Sequence, residues 1–181
     1  MANPKALGNN FERQFSKELS LWVSKGKDDG IFWRDISSGA RFSVRAKQGK
    51  DTIYKGDICA LDPEYKPFTD LFYIDTKTFK GENFYALITN EGNIKSNRLF
   101  YEWRDTVEKC PKNMKPLMPV HVRDKKTPEF IIVPYNLNFN KSSYIYYCVD
   151  YIGVQYKFYL IFQDQFFKLN NWDELIKINE G

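Results

Sequence analysis

The run Leu71-Phe72-Tyr73-Ile74-Asp75-Thr76-Lys77-Thr78-Phe79 is the feature that most constrains this chain. It is rich in β-formers and bounded by turn residues, so it reads as a strand. Side chains two apart in a strand share a face. Asp75 and Lys77 therefore set a carboxylate and an ammonium side by side at the end of an apolar stretch. Burying charge there is costly unless the site is solvated or binds something. The ordinary alternative is a strand end that faces solvent and carries a simple ion pair. Asp57 opens the preceding strand, Lys55 to Leu61, 18 residues before Asp75. If those two strands pair as antiparallel neighbours, Asp57 sits beside Asp75.

The rest of the chain supplies elements around this pair. Asn3-Pro4 resembles a cap followed by proline at the first helical position. Leu7, Phe11, Phe15, Leu19 and Trp22 then recur at helical spacing, which predicts a helix over about 5–24 that ends at Lys25-Gly26. Ile31 to Trp33 and Arg41 to Arg45 are short candidate strands, and 45–50 is a basic loop. Asp62 to Pro67 carries strong turn residues. Leu99, Trp103 and Val107 predict a second helix over about 98–109, stopped by Pro111. Pro119 to Val122 and Glu129 to Val133 are two further strands. Two aromatic strands around Gly153 and a short helix over about 172–178 close the chain. The order implies an α/β (α+β) core with a mixed central sheet over 1–135. A C-terminal aromatic β-hairpin and helix over 136–181 pack on it within a single domain.

A chain of 181 residues can bury a sizeable core without disulfides or a structural metal. Its net charge of +4 permits a polyanionic partner without demanding one. Cys59, Cys110 and Cys148 are far apart and odd in number, which argues against a zinc site or disulfide framework and for a reducing, cytoplasmic compartment. The first eight residues lack the apolar core of a signal peptide. No stretch approaches 18 uninterrupted apolar residues, so no membrane span is expected. With one histidine, His121, Ser-His-Asp and Cys-His schemes are poorly supported, and His121 itself reads as structural. No G-x-x-x-x-G-K-[ST] loop occurs.

Two carboxylates a few ångströms apart repel, and a divalent cation between them relieves the repulsion. Magnesium prefers oxygen ligands and is often held by one or two carboxylates. A metal of this kind acidifies a bound water and stabilises charge on a phosphate. Lys77 could orient or deprotonate the attacking water, or neutralise charge developing on the phosphate. These are the elements of a metal-dependent phosphodiesterase.

G-D-I at 56–58 followed by I-D-T-K at 74–77 resembles the PD-(D/E)XK nuclease superfamily, which includes restriction endonucleases and Holliday-junction resolvases. Gly8-Asn9-Asn10-Phe11-Glu12-Arg13 is similar to the G-x-x-F-E-R entry of the resolvase-like branch. The resemblance covers roughly residues 8–135. Gly56 stands in place of the proline of the family name, and Asp75 where glutamate is commoner. The resemblance implies a restriction-endonuclease-like α-β-β-β-α-β core. It also implies that Asp57, Asp75, the Thr76 carbonyl and Glu12 bind Mg2+, with Mn2+ as a substitute, and that Lys77 is the catalytic lysine. The ordinary alternative for Glu12 is an exposed helical acid.

The expectation is thus a magnesium-dependent DNA endonuclease, with branched or junction DNA and a homodimer as one version of it. A compact chain of this kind fits a phage or mobile-element gene. Arg41, Arg45, Lys47, Lys50 and Lys80 are candidate DNA-backbone contacts, although charged loops are usually just solvated. The hairpin tyrosines could stack bases, bury a dimer interface or pack over the core. The alternative function is a non-catalytic nucleic-acid-binding or inhibitory module that retains the nuclease core.

Overall fold

The computed structural model describes residues 4–35, 56–79, 98–123 and 127–179, with side chains from residue 10 onward. Helix α1 (Pro4–Val23) buries Phe11, Phe15, Leu19 and Val23, one side chain per turn. It ends in a Schellman-type turn, with the N–H of Gly26 donating to Leu21 O at 2.7 Å and that of Lys25 to Trp22 O at 3.3 Å. Lys25 itself takes the left-handed position, at φ 55°. Buried Ser20 then reaches across. Its Oγ donates to Ser16 O and accepts from the N–H of Phe32 at 2.9 Å, which fixes the start of β1 (Phe32–Arg34) against the helix.

β1 pairs antiparallel with β2 (Ile58–Ala60) to form a separate two-stranded sheet. The connection after β2 was expected to be a turn. It contains a 3-10 turn (Pro63–Tyr65), whose first N–H groups are capped by Asp62, and a short helix α2 (Lys66–Leu71). Pro63 and Pro67 each stand in a first turn, where the missing N–H costs nothing. The main sheet follows, built from β3 (Phe72–Ile74), β4 (Lys77–Phe79), β5 (Lys115–Val122), β6 (Phe130–Pro134), β7 (Ile145–Tyr151) and β8 (Val154–Phe162). β3 and β4 are parallel to β5 in one register, with Ile74 opposite Leu117 and Lys77 opposite Val120. They are one strand interrupted at Asp75-Thr76. β5–β6, β6–β8 and β8–β7 are antiparallel, so the sheet is mixed.

Both sheet faces are covered. Leu117, Ile131, Val133, Tyr159 and Ile161 join the core under α1. Met118, Val120, Phe130, Ile132, Phe158 and Leu160 join a second core with Leu99, Phe100 and Trp103 of α3 (Arg98–Lys109). Successive residues thus alternate between two apolar layers, as strand geometry requires. The aromatic hairpin continues this sheet, because the second half of β8, Phe158 to Phe162, is paired with β6. Its inner face also packs on α3, with Tyr151 and Tyr156 both edge-on to Phe100.

Helix α4 (Gln163–Leu169), which the sequence reading did not mark, follows β8 without a break. Helix α5 (Trp172–Lys177) closes the fold. Two reciprocal asparagine pairs, Asn138–Asn179 and Asn140–Asn170, tie the loop after β6 to these helices through backbone groups. No helix among the described residues is long and apolar enough to cross a membrane. The candidate strand 41–45 and the basic loop 45–50 lie outside the described residues.

Gly56 has φ +96°, and a Cβ built there would meet Ile74 O at 2.4 Å and Ile74 N at 2.8 Å. Gly56→Ala is expected to lose about 2–4 kcal/mol, from left-handed strain and steric overlap together. The measurement is the urea midpoint, which should fall at unchanged slope.

Candidate active site

The interruption between β3 and β4 originates in the strand beside it. Gly56 bridges Ile74 in parallel sense, and the N–H of Asp57 donates to Ile74 O at 2.7 Å. In a continuing parallel ladder the N–H of Thr76 would go to Asp57 O. That carbonyl is instead taken by the N–H of Asp35 at 2.6 Å, because β2 turns away to pair with β1. The Asp57 side chain fills the vacancy in the ladder. Its Oδ2 accepts from the Thr76 N–H at 2.9 Å and lies 3.2 Å from Thr76 Oγ1. The expected antiparallel pairing of the Asp57 and Asp75 strands is therefore replaced by a single parallel bridge. The carboxylate of Asp57 is nevertheless docked on the residue between Asp75 and Lys77.

Asp75 and Lys77 share a face, and that face points at α3. Asp75 is 5% exposed. Its Oδ2 lies 3.0 Å from Lys77 Nζ and accepts from Thr106 Oγ1 at 2.7 Å. Lys77 Nζ also lies 3.3 Å from Glu102 Oε2. Burial alone would lower the pKa of Lys77, but the charges and hydrogen bonds of Asp75 and Glu102 outweigh it and hold the value above 10.5. Lys77 is therefore an ammonium at neutral pH.

Glu12 lies apart from this pair. Its Oε2 forms an ion pair with Arg34 Nε of β1 at 3.0 Å. It is half-buried. Burial raises its pKa most, Arg34 opposes that, and the charge of Asp75 adds to the rise. Glu12 is thus within electrostatic range of Asp75, while its direct contact is Arg34. Arg41, Arg45, Lys47, Lys50 and Lys80 lie outside the described residues.

Three participants escaped the sequence reading: Arg34, Glu102 and Thr106. Glu102 and Thr106 were detectable in principle. They stand four apart on the predicted second helix, beside its Leu99 and Trp103 stripe, and so share a face. Arg34 carried no signal beyond being a charged residue after the apolar run Ile31-Phe32-Trp33. The ring of His121 stacks on Phe11 at 5.3 Å, and its Nδ1 lies 3.2 Å from Glu129 Oε1. Cys59, Cys110 and Cys148 are free thiols, and burial pushes that of Cys110 up to about 12.

No cluster of three or more His, Cys, Asp or Glu side chains arranged to hold a metal occurs among the described residues. A hard cation that keeps most of its waters needs less. Carboxylate oxygens of Asp57 and Asp75 are donors of the right chemistry for Mg2+. No protein-family model matches this chain, and no curated protein or solved structure is similar to it.

Thr106→Val removes a donor from a buried carboxylate and should cost about 1–3 kcal/mol, read from thermal or urea unfolding. The Lys77 pKa gives a second expectation. A raised folded-state value contributes stability that is complete below pH 10.5 and is lost as pH rises through the folded value. The stability difference between the natural protein and Lys77→Met should be constant through neutral pH and should shrink in strong alkali. A difference that grows with pH would contradict the ion-pair arrangement.

Proposed function

We propose that this protein is a magnesium-dependent DNA endonuclease of PD-(D/E)XK type, with Asp57, Asp75 and Lys77 at its centre and Glu12, paired with Arg34, within electrostatic range of Asp75. The observation that carries this reading is the docking of Asp57 Oδ2 on the N–H of Thr76, the residue between Asp75 and Lys77. It brings two carboxylates and one ammonium from separate segments to a single strand break. Asp57 and Asp75 would hold the cation, with the Thr76 carbonyl as a further oxygen donor. Bound Mg2+ would supply an acidified water and charge neutralisation on the scissile phosphate. Lys77, kept protonated by Asp75 and Glu102, would hold that water or a phosphate oxygen by hydrogen bonding. Thr106 would hold the Asp75 carboxylate in one orientation. Glu12, whose pKa burial raises, would accept a proton more readily than an exposed glutamate. Branched DNA cut by a homodimer is the version that the first-helix resemblance favours.

A second reading has an observation of its own. Asp75 is buried and its Oδ2 is already engaged by Lys77 and Thr106, as in a structural ion pair. That favours a DNA-binding or inhibitory module without catalysis.

Cleavage of supercoiled plasmid, single-stranded and four-way-junction DNA with Mg2+, Mn2+ or EDTA separates the two. The nuclease reading expects metal-dependent cutting that falls at least about 100-fold in Asp75→Asn and in Lys77→Ala, with folding checked by circular dichroism. Absence of cutting on every substrate, or cutting that survives both substitutions, would defeat it. DNA affinity without cutting would support the second reading.

A further inference from the structure

A cavity of about 670 Å³ lies away from this site, between α1, the start of β6 and α4. One wall is aromatic. Trp22 and Phe167 stack with ring centroids 5.0 Å apart and planes at 26°. Trp22 is fixed by its Nε1–H, which donates to Asn170 O at 3.0 Å. Acidic side chains also line it, Glu18 one turn from Trp22 on α1, Asp164 one turn from Phe167 on α4, and Glu129 before β6, and Lys168 is the one cation lining it among the described residues.

Glu18 and Glu129 are close neighbours. Gln14 Nε2 donates to Glu18 Oε1 and to Glu129 Oε1, each at 3.0 Å. Burial raises the pKa of Glu18 most, and the charge of Glu129 raises it further. Two carboxylates bridged by a neutral amide gain from any cation placed between them. Gln163 also lines the cavity and is 4% exposed. Glu18 can only accept, so the Gln163 Nε2 that contacts it must be the donor end. This orients the amide and leaves Gln163 Oε1 buried with no hydrogen-bond partner among the described residues. An unpaired buried acceptor is costly, and an N–H donor from a ligand would satisfy it.

We propose that this cavity binds a small organic cation, an ammonium or guanidinium on an apolar body. The head would sit at Glu18, Glu129 and Gln163, and the body would lie against Trp22 and Phe167. Charge complementarity selects the sign, and the aromatic wall favours an organic cation over a hydrated metal ion. The volume falls in the range of small-molecule sites. This site is independent of the nuclease reading, because it shares no residue with the Asp57–Asp75–Lys77 cluster.

Isothermal titration of the full chain with phenethylammonium and with agmatine, against neutral phenethyl alcohol, tests the assignment. At least one cation should bind with one-site stoichiometry, and the neutral isostere about tenfold or more weaker. Exposed Asp164→Asn should weaken the cation and Lys168→Ala should tighten it, two substitutions outside the packed core whose opposite signs a general loss of structure cannot mimic. Glu129→Gln should lower affinity about tenfold. Failure of both cations at millimolar concentration overturns the proposal. Equal binding of the alcohol, or an Asp164→Asn and Lys168→Ala pair that shift affinity in one direction, does the same. Binding of an arginine-rich peptide in place of either free cation would assign the groove to a protein partner instead.

Discussion

The carbonyl of Asp57 can accept from β1 or from Thr76, and the fold gives it to Asp35 on the β1 side. Most of the local architecture depends on that choice. It releases β2 from the main sheet to form its own pair with β1. It leaves the Thr76 N–H without the backbone acceptor that a parallel ladder would supply. A buried N–H left unmet would cost about 1–3 kcal/mol, and the side chain of the same aspartate meets it. The strand therefore breaks at Asp75-Thr76 yet keeps one register on both sides of the break.

The two faces of that strand carry unequal electrostatic loads. On the α1 face Ile74 lies in an apolar core. On the α3 face Asp75 is buried and offset by Lys77, with Thr106 and Glu102 completing the group. Buried ion pairs are weak sources of stability, because desolvation consumes most of the Coulomb gain. An apolar pair of similar volume would serve the core between β3 and α3 at least as well. Packing alone therefore gives no reason for these charges, which agrees with a role in binding or chemistry. The same holds for Glu12, whose burial is opposed by an arginine delivered from β1. Arg34 arrives there because Ser20 anchors β1 to α1 through the N–H of Phe32.

The sequence made the periodic parts of this fold legible and the aperiodic parts obscure. Helix α1, helix α3 and the two hairpin strands fall where their spacing put them, because long stripes at period 3.6 or 2 average over local exceptions. Helices α2 and α4 were missed. Each has six or seven residues, too few for a period, and α2 is built from the same residues that mark turns. Asp75 and Lys77 share a face as the two-residue repeat demanded. The relation of Asp57 to them did not follow from any local pattern. It depends on a strand leaving one sheet for another, a tertiary event with no periodic trace. Glu102 and Thr106 were readable as one helix face, but nothing local said which strand that face would meet.

Gly56 bears on what the family resemblance can carry. In the motif that names the superfamily, a proline precedes the first aspartate, and glycine at the corresponding place in this chain could pass for a neutral variation on that pattern. The backbone says otherwise. At φ +96° proline is excluded, since its ring holds φ near −65°. Any Cβ would also press on the Ile74 peptide. Glycine is required at this position because the chain passes directly over Ile74 before it delivers Asp57 to Thr76. The approach to the aspartate therefore differs from any path that a proline could take, even if the side chain arrives at an equivalent place. The proposed chemistry rests on where the carboxylates and the ammonium come together, and glycine in place of a proline at this position neither weakens nor supports it.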